Sequence, residues 1–119
     1  MLNGIDIHET QEFVSKKDSG ETPTKFILRP LSNRQKIKLF DGAFEGKGEA
    51  VDVNKMFAKL PEILKAGVKE IHGIKVGNKV INLDNVDDST IDIIPFEVLS
   101  ELLEAVVKYN FVSGEEEKN

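Results

Sequence analysis

His8 and His72 are the only imidazoles in the 119 residues, and there is no cysteine. General acid–base chemistry and metal-assisted hydrolysis ask for a histidine or clustered carboxylates beside a nucleophile. His8 stands near the N-terminus, and His72 follows Ile71 at the expected end of a helix, where an imidazolium would favour the helix dipole. Both read as surface or structural groups. The missing cysteine excludes thiolate zinc ligands, disulfides and a cysteine nucleophile together. Asp84, Asp87, Asp88 and Asp92 invite a calcium-loop reading, but a register begun at Asp84 puts Val86 at the second ligand position, Ser89 where the turn glycine belongs and Pro95 where the bidentate glutamate belongs. A solvated loop with local aspartate capping accounts for them better. The stretch GAFEGKGEA resembles a phosphate cradle only in its glycines, because it matches neither GxxxxGK[ST] nor GxGxxG, and it reads as a loop. No catalytic residue, metal ligand or cofactor is assigned, and the chain is expected not to be an enzyme.

The elements that would carry any function follow from periodicity and punctuation. QEFVSK and TKFILRPL are short β-prone segments separated by KDSGETP, which predicts a hairpin or loose strand pair ending at Pro30. Ser32 and Gln35 have the spacing of a capping box, so a helix should begin near Asn33 and carry Ile37, Phe40 and Phe44 on one face. Met56, Leu60, Ile63, Leu64, Val68 and Ile71 form a helical stripe that Pro61 interrupts, giving one kinked helix or two short ones. In IKVGNKVINL, two β-prone arms flank Gly77 and Asn78, which predicts a second hairpin. DNVDDST then reads as a polar connection, and Pro95 opens a final helix with Val98, Leu99, Leu102, Leu103 and Val106 opposite Glu97, Ser100, Glu101, Glu104 and Lys108. The fold class is α+β: a small, mainly helical domain of about three principal helices, with short strands or hairpins in the N-terminal region and around residues 74–82.

Length and composition suit one domain, assigned to residues 11–112, with residues 1–10 and 113–119 as flexible termini lacking apolar anchors. The ending GEEEKN reads as a solvating tail. With 21 acidic against 16 basic side chains, the net charge of -5 gives no general attraction to phosphate backbones, so nucleic acid is not an expected partner. MLNGIDIHETQEF has neither a basic n-region nor an apolar run, and no segment approaches the roughly 18 apolar residues of a membrane span. A soluble, unexported protein without a membrane partner is expected. Four or so short elements around a long interrupted middle leave room for an apolar stripe that the monomer does not bury, which favours binding over catalysis and leaves a homo-oligomer open.

The order of motifs is similar to that of the small tail assembly chaperones of long-tailed bacteriophages. A short strand ending in FILRPLSNRQ leads into a helix, a middle helix runs into AGVKEIHGIKVGNKVINL, and IDIIPFEVLSELLEAVV, with its Glu101–Leu102 pair, precedes the charged ending EEEKN. The resemblance covers roughly residues 22–119. It implies a non-enzymatic protein of the host bacterial cytoplasm that coats the long helical tape measure protein and keeps it soluble until tail tube protein polymerises around it. It also implies a longer product made by ribosomal frameshifting near the end of the short frame. Leu99, Leu102, Leu103 and Val106 are the expected partner contacts, some of them shared with the core. A virion structural component, either a tail tube or a head–tail connector subunit, is the alternative.

Overall fold

The computed structural model describes residues 1–41 and 53–111. Four antiparallel strands in sequence order form one sheet: β1 (Gln11–Phe13), β2 (Lys25–Leu28), β3 (Val68–Val76) and β4 (Lys79–Leu83). Four helices accompany it: α1 (Asn33–Leu39), α2 (Leu60–Gly67), α3 (Asp88–Ile93) and α4 (Phe96–Phe111), with a 3₁₀ segment, Val53–Lys59, leading into α2. The class is α+β. Residues 1–10 hold no strand or helix and are exposed throughout. The acidic tail and the GAFEGKGEA loop lie outside the described residues.

The sheet has an inner and an outer face. Phe26 and Leu28 of β2 alternate with Lys25 and Ile27, so the two apolar side chains enter the core, joined there by Val68, Ile71 and Ile74 of β3. On the outer face Glu12 lies 3.9 Å from Lys25, and His72 meets Glu70 at 2.7 Å, each pair spanning neighbouring outer positions. The inner face is covered by α2 and α4. Leu60, Ile63, Leu64 and Gly67 of α2 recur at i, i+3, i+4 and i+7, and Leu99, Leu102, Leu103, Val106 and Val107 repeat that pattern on α4. Each fully buried leucine or isoleucine contributes about 1.5–3 kcal/mol relative to exposure, which far exceeds the few tenths of a kcal/mol per residue at stake in helix propensity.

Polar ties fix the elements in place. Ser32 accepts from the Gln35 amide while the Gln35 side chain accepts from the Ser32 amide, and this reciprocal pair starts α1 as the sequence requires. Arg29 lies at the other end of a helix: its Nε donates to the Ala66 carbonyl at 2.9 Å, satisfying an acceptor at the end of α2. Asn110 joins β2's exit to α4, accepting from the Leu31 amide at 2.8 Å and donating to the Val106 carbonyl at 2.8 Å. The Ser15 hydroxyl donates to Glu101 Oε1, and the Lys16 amide to Oε2 at 3.2 Å, so the loop after β1 is held on α4.

Three sequence expectations change. The stripe through Val68 and Ile71 is not helical in its second half, because α2 stops at Gly67 and both residues lie in β3. They remain three apart and inward because the β2–β3 register slips beside Val68 and the β3–β4 register slips between Ile71 and Ile74, where Gly73 takes φ 77. His72 is accordingly on a strand rather than a helix end. Ile37 is 73% exposed and Leu39 is buried in its place; Phe40, the C-cap of α1, is buried as expected, and Phe44 lies outside the described residues. The polar DNVDDST holds the start of a fourth helix. Around Gly77 the second hairpin forms as expected: Val76 pairs with Lys79 across a two-residue turn in which Gly77 has φ 64 and Asn78 does not turn positive, the II′ pattern.

The start of α3 should be acid-sensitive. Asp87 accepts from the Ser89 hydroxyl at 2.7 Å, the Thr90 amide at 3.0 Å and the Thr90 hydroxyl at 3.1 Å. These hydrogen bonds, that of Ser89 first, hold the Asp87 carboxyl below its ordinary value of 3.8. A carboxyl with a depressed folded pKa contributes stability that is complete above the unfolded pKa and is lost as pH falls through the folded one. Acidification below about pH 4 should therefore release the cap. Following the Thr90 amide proton through an acid titration should give a midpoint below 3.8; a midpoint at or above it contradicts the capping account.

Candidate partner-binding surface

The structure places all four expected contact residues in the core. Leu99 is 8% exposed, and Leu102, Leu103 and Val106 are 0% exposed. They belong to the core on a helix that packs against α2, so they present no surface to a partner in this conformation. The correction has a plain cause: a single small domain needs its longest apolar stripe for itself, and α4 is the longest helix described.

A different part of that stripe is uncovered. Phe96 stands three residues before Leu99 and seven before Leu103, so it continues the buried face of α4 by one more turn. The core ends before it does, and Phe96 is 69% exposed. Its only aromatic neighbour among the described residues is Phe57 of the 3₁₀ segment, 38% exposed, with ring centroids 6.3 Å apart and planes inclined by 22°. Ile93, at the end of α3, is also exposed.

Local sequence explains why these three side chains look outward. Met56 and Leu60 anchor the 3₁₀ segment and the start of α2 in the core, which turns the intervening Phe57 out. Ile91 and Ile94 do the same for Ile93. Pro95 then opens α4, and the Leu99 and Val98 amides donate to its carbonyl at 3.0 and 2.9 Å, fixing the turn that carries Phe96. The sequence signal was the i, i+3, i+7 spacing of Phe96, Leu99 and Leu103, which runs one turn past the residues a small core can enclose.

Exposed carboxylates neighbour the ring pair in sequence on the α3–α4 side. Asp92 precedes Ile93 and Glu97 follows Phe96; both are exposed and neither has a hydrogen bond or ion pair among the described residues. Two lysines of the 3₁₀ segment and α2 have described partners. Lys59 Nζ donates to the Lys38 carbonyl at 3.4 Å, and Lys65 Nζ pairs with Asp88 at 2.8 Å.

A groove of about 980 Å³ runs between the N-terminal arm, β1 and α4 and mixes Glu9, Glu12, Glu101 and Glu104 with Lys16, Lys36 and Lys108. Tyr109 lines it with a buried hydroxyl that has no hydrogen-bond partner among the described residues. Burial, then the negative charges of Glu9 and Asp6, raise the Tyr109 pKa, so the phenol stays protonated and can donate but not attack. His8 and His72 are both outside this groove, and among the described residues no three metal-ligating side chains come together. No described helix is long and apolar enough to cross a membrane. No protein-family model, curated protein or solved structure matches this chain.

Proposed function

We propose that this protein is a non-enzymatic assembly chaperone of a long-tailed bacteriophage, which binds the helical tape measure protein and keeps it soluble during tail morphogenesis. The order of motifs from FILRPLSNRQ to EEEKN supplies the family, and the exposed Phe57–Phe96 pair is the observation that carries the binding role. An α+β domain that leaves Phe96 exposed beside a part-exposed Phe57 has a surface to cover. A patch this small gives weak individual contacts. Many copies along one long partner would hold it by their number and still release it as the tail tube closes around it. The net charge of -5 keeps a coated partner dispersed.

Co-expression with the long coiled-coil-like product of the gene immediately downstream tests this reading. The partner should be soluble with the native chain and should fall to its unassisted level with Phe96→Asp, which introduces a charge at an already exposed position. Purified particles should lack the chain. A partner equally soluble with and without it, together with stoichiometric recovery of the chain from particles, overturns the chaperone in favour of a tail tube or head–tail connector subunit.

A further inference from the structure

We propose that the pocket between the exit of β2 and α1 is an anion site, in which Arg29, Arg34 and Lys38 hold the phosphate group of a small molecule. It shares no residue with the Phe57–Phe96 pair and stands without the chaperone reading.

The pocket encloses about 590 Å³, a size that suits a small ligand. Arg29, Arg34 and Lys38 line it together with Ser32 and Gln35, and among the described residues no aspartate or glutamate does. That is a local reversal of sign in a chain with 21 acidic and 16 basic residues. Arg29 is half-buried and held from one side, its Nε donating to the Ala66 carbonyl at 2.9 Å and its Nη2 to the Lys65 carbonyl at 3.4 Å. Its Nη1 has no partner among the described residues. A guanidinium already fixed by the fold gives up little freedom when an anion arrives.

Arg34 and Lys38 are four residues apart on α1 and so share one side of it. Both are exposed, and neither side chain has a hydrogen bond or ion pair among the described residues. Lys59 Nζ, donating to the Lys38 carbonyl at 3.4 Å, sets a further positive charge against the same helix. Ser32 Oγ accepts the Gln35 amide at 3.1 Å in the capping box and keeps its own proton to donate.

The cations choose the ligand. A phosphate monoester brings nearly two charges and three acceptor oxygens at neutral pH, enough to meet separate donors on Arg29, Arg34 and Lys38. A single carboxylate brings one charge and two oxygens. The rest of the chain limits the ligand's size, because a net charge of -5 acts against a long polyanion that must cross the surrounding surface and leaves a local contact possible.

Amide NMR titration of the full chain at about 50 mM salt tests this with phenyl phosphate, benzoate and a thymidylate oligonucleotide of about 20 residues. Phenyl phosphate should bind at least about tenfold tighter than benzoate, with shifts centred on residues 29–38. Its affinity should fall as pH drops through about 6, where the phosphate loses its second charge. Arg34→Gln with Lys38→Gln should weaken it at least about tenfold and leave the melting transition unchanged, since both side chains are exposed.

Equal binding of phenyl phosphate and benzoate overturns the inference, as do affinity indifferent to the double variant and no saturation by about 10 mM ligand. An oligonucleotide that binds tighter than phenyl phosphate overturns it in favour of nucleic acid. Binding that emerges only with Glu115→Gln, Glu116→Gln and Glu117→Gln assigns the pocket to the chain's own acidic ending instead. None of these outcomes bears on partner solubility, which Phe96→Asp tests separately.

Discussion

Leu102→Asp should abolish the cooperative unfolding transition, while Phe96→Asp should leave it in place. Leu102 is 0% exposed and belongs to the single hydrophobic core, on a helix that packs against α2. Truncating a leucine at such a site already costs about 2–5 kcal/mol. An aspartate there adds a carboxylate with no partner, which must either stay charged in an apolar setting or take up a proton at neutral pH; each route costs several kcal/mol more. Against a total stability of about 5–15 kcal/mol for a domain of this kind, the sum removes most or all of the fold. Phe96 is solvent-facing, so the same substitution there alters the surface and spares the core. Thermal melts followed by circular dichroism check both. A folded Leu102→Asp variant that had lost only partner binding would return the contact face to the residues first expected from the sequence and would contradict the packing of α4.

How far the fold was legible follows from which signals were local. The capping box at Ser32 and Gln35, the Gly77–Asn78 turn and the Pro95 opening of α4 depend on neighbours a few residues away, and each forms where its sequence places it. The α2–β3 boundary depends on something else. Inward residues of a regular strand recur every second position, yet Val68, Ile71 and Ile74 recur every third, because two register slips insert an extra residue between them. That spacing imitates a helix, and only the pairing with β2 and β4 distinguishes the two. The short helix α3 was hidden for a related reason. Its aspartates and serine compose a loop in isolation, and the buried Thr90 and Ile91 make a helix of it.

The site was legible in kind but displaced in position. Periodicity identified α4 as the strongest apolar face without saying how much of it the domain consumes. That division is set by the chain's small size and by where α2 comes to rest, and it leaves Phe96 outside while enclosing Leu99, Leu102, Leu103 and Val106. Phe57 could not be read as its companion, because the two lie on separate elements that only the fold brings together. An apolar stripe in a short sequence therefore shows that a face exists; the exposed remainder, rather than its centre, is the part available to a partner.

Gly67→Ala should destabilise the domain by about 1–2 kcal/mol, and Val106→Ala should cost less in that background than it does alone. Gly67 is the last residue of α2 and lies against Val106 of α4. A Cβ built on it would sit 2.7 Å from Val106 Cγ1 and 3.2 Å from Cγ2. Carbon atoms prefer about 3.5–4.0 Å, so something must move. Val106 is β-branched with a stiff χ1, and it is fully buried, which leaves it no open direction to swing. The Gly67 backbone is also held, because its carbonyl accepts from the Arg29 amide at 2.9 Å. Overpacking of this kind costs about 1–3 kcal/mol, and the gain in helix propensity from glycine to alanine, at most about 1 kcal/mol, is smaller at a helix end. Val106→Ala alone leaves a cavity and costs about 1–3 kcal/mol by itself. Combined, the new methyl at 67 occupies space that Cγ1 vacates, so the double variant should be more stable than the sum of the two losses predicts by about 0.5–2 kcal/mol. Urea unfolding of the four chains measures this coupling directly. Simple additivity would mean that α2 and α4 can shift apart at no cost, and would contradict a helix contact set by the missing side chain of Gly67.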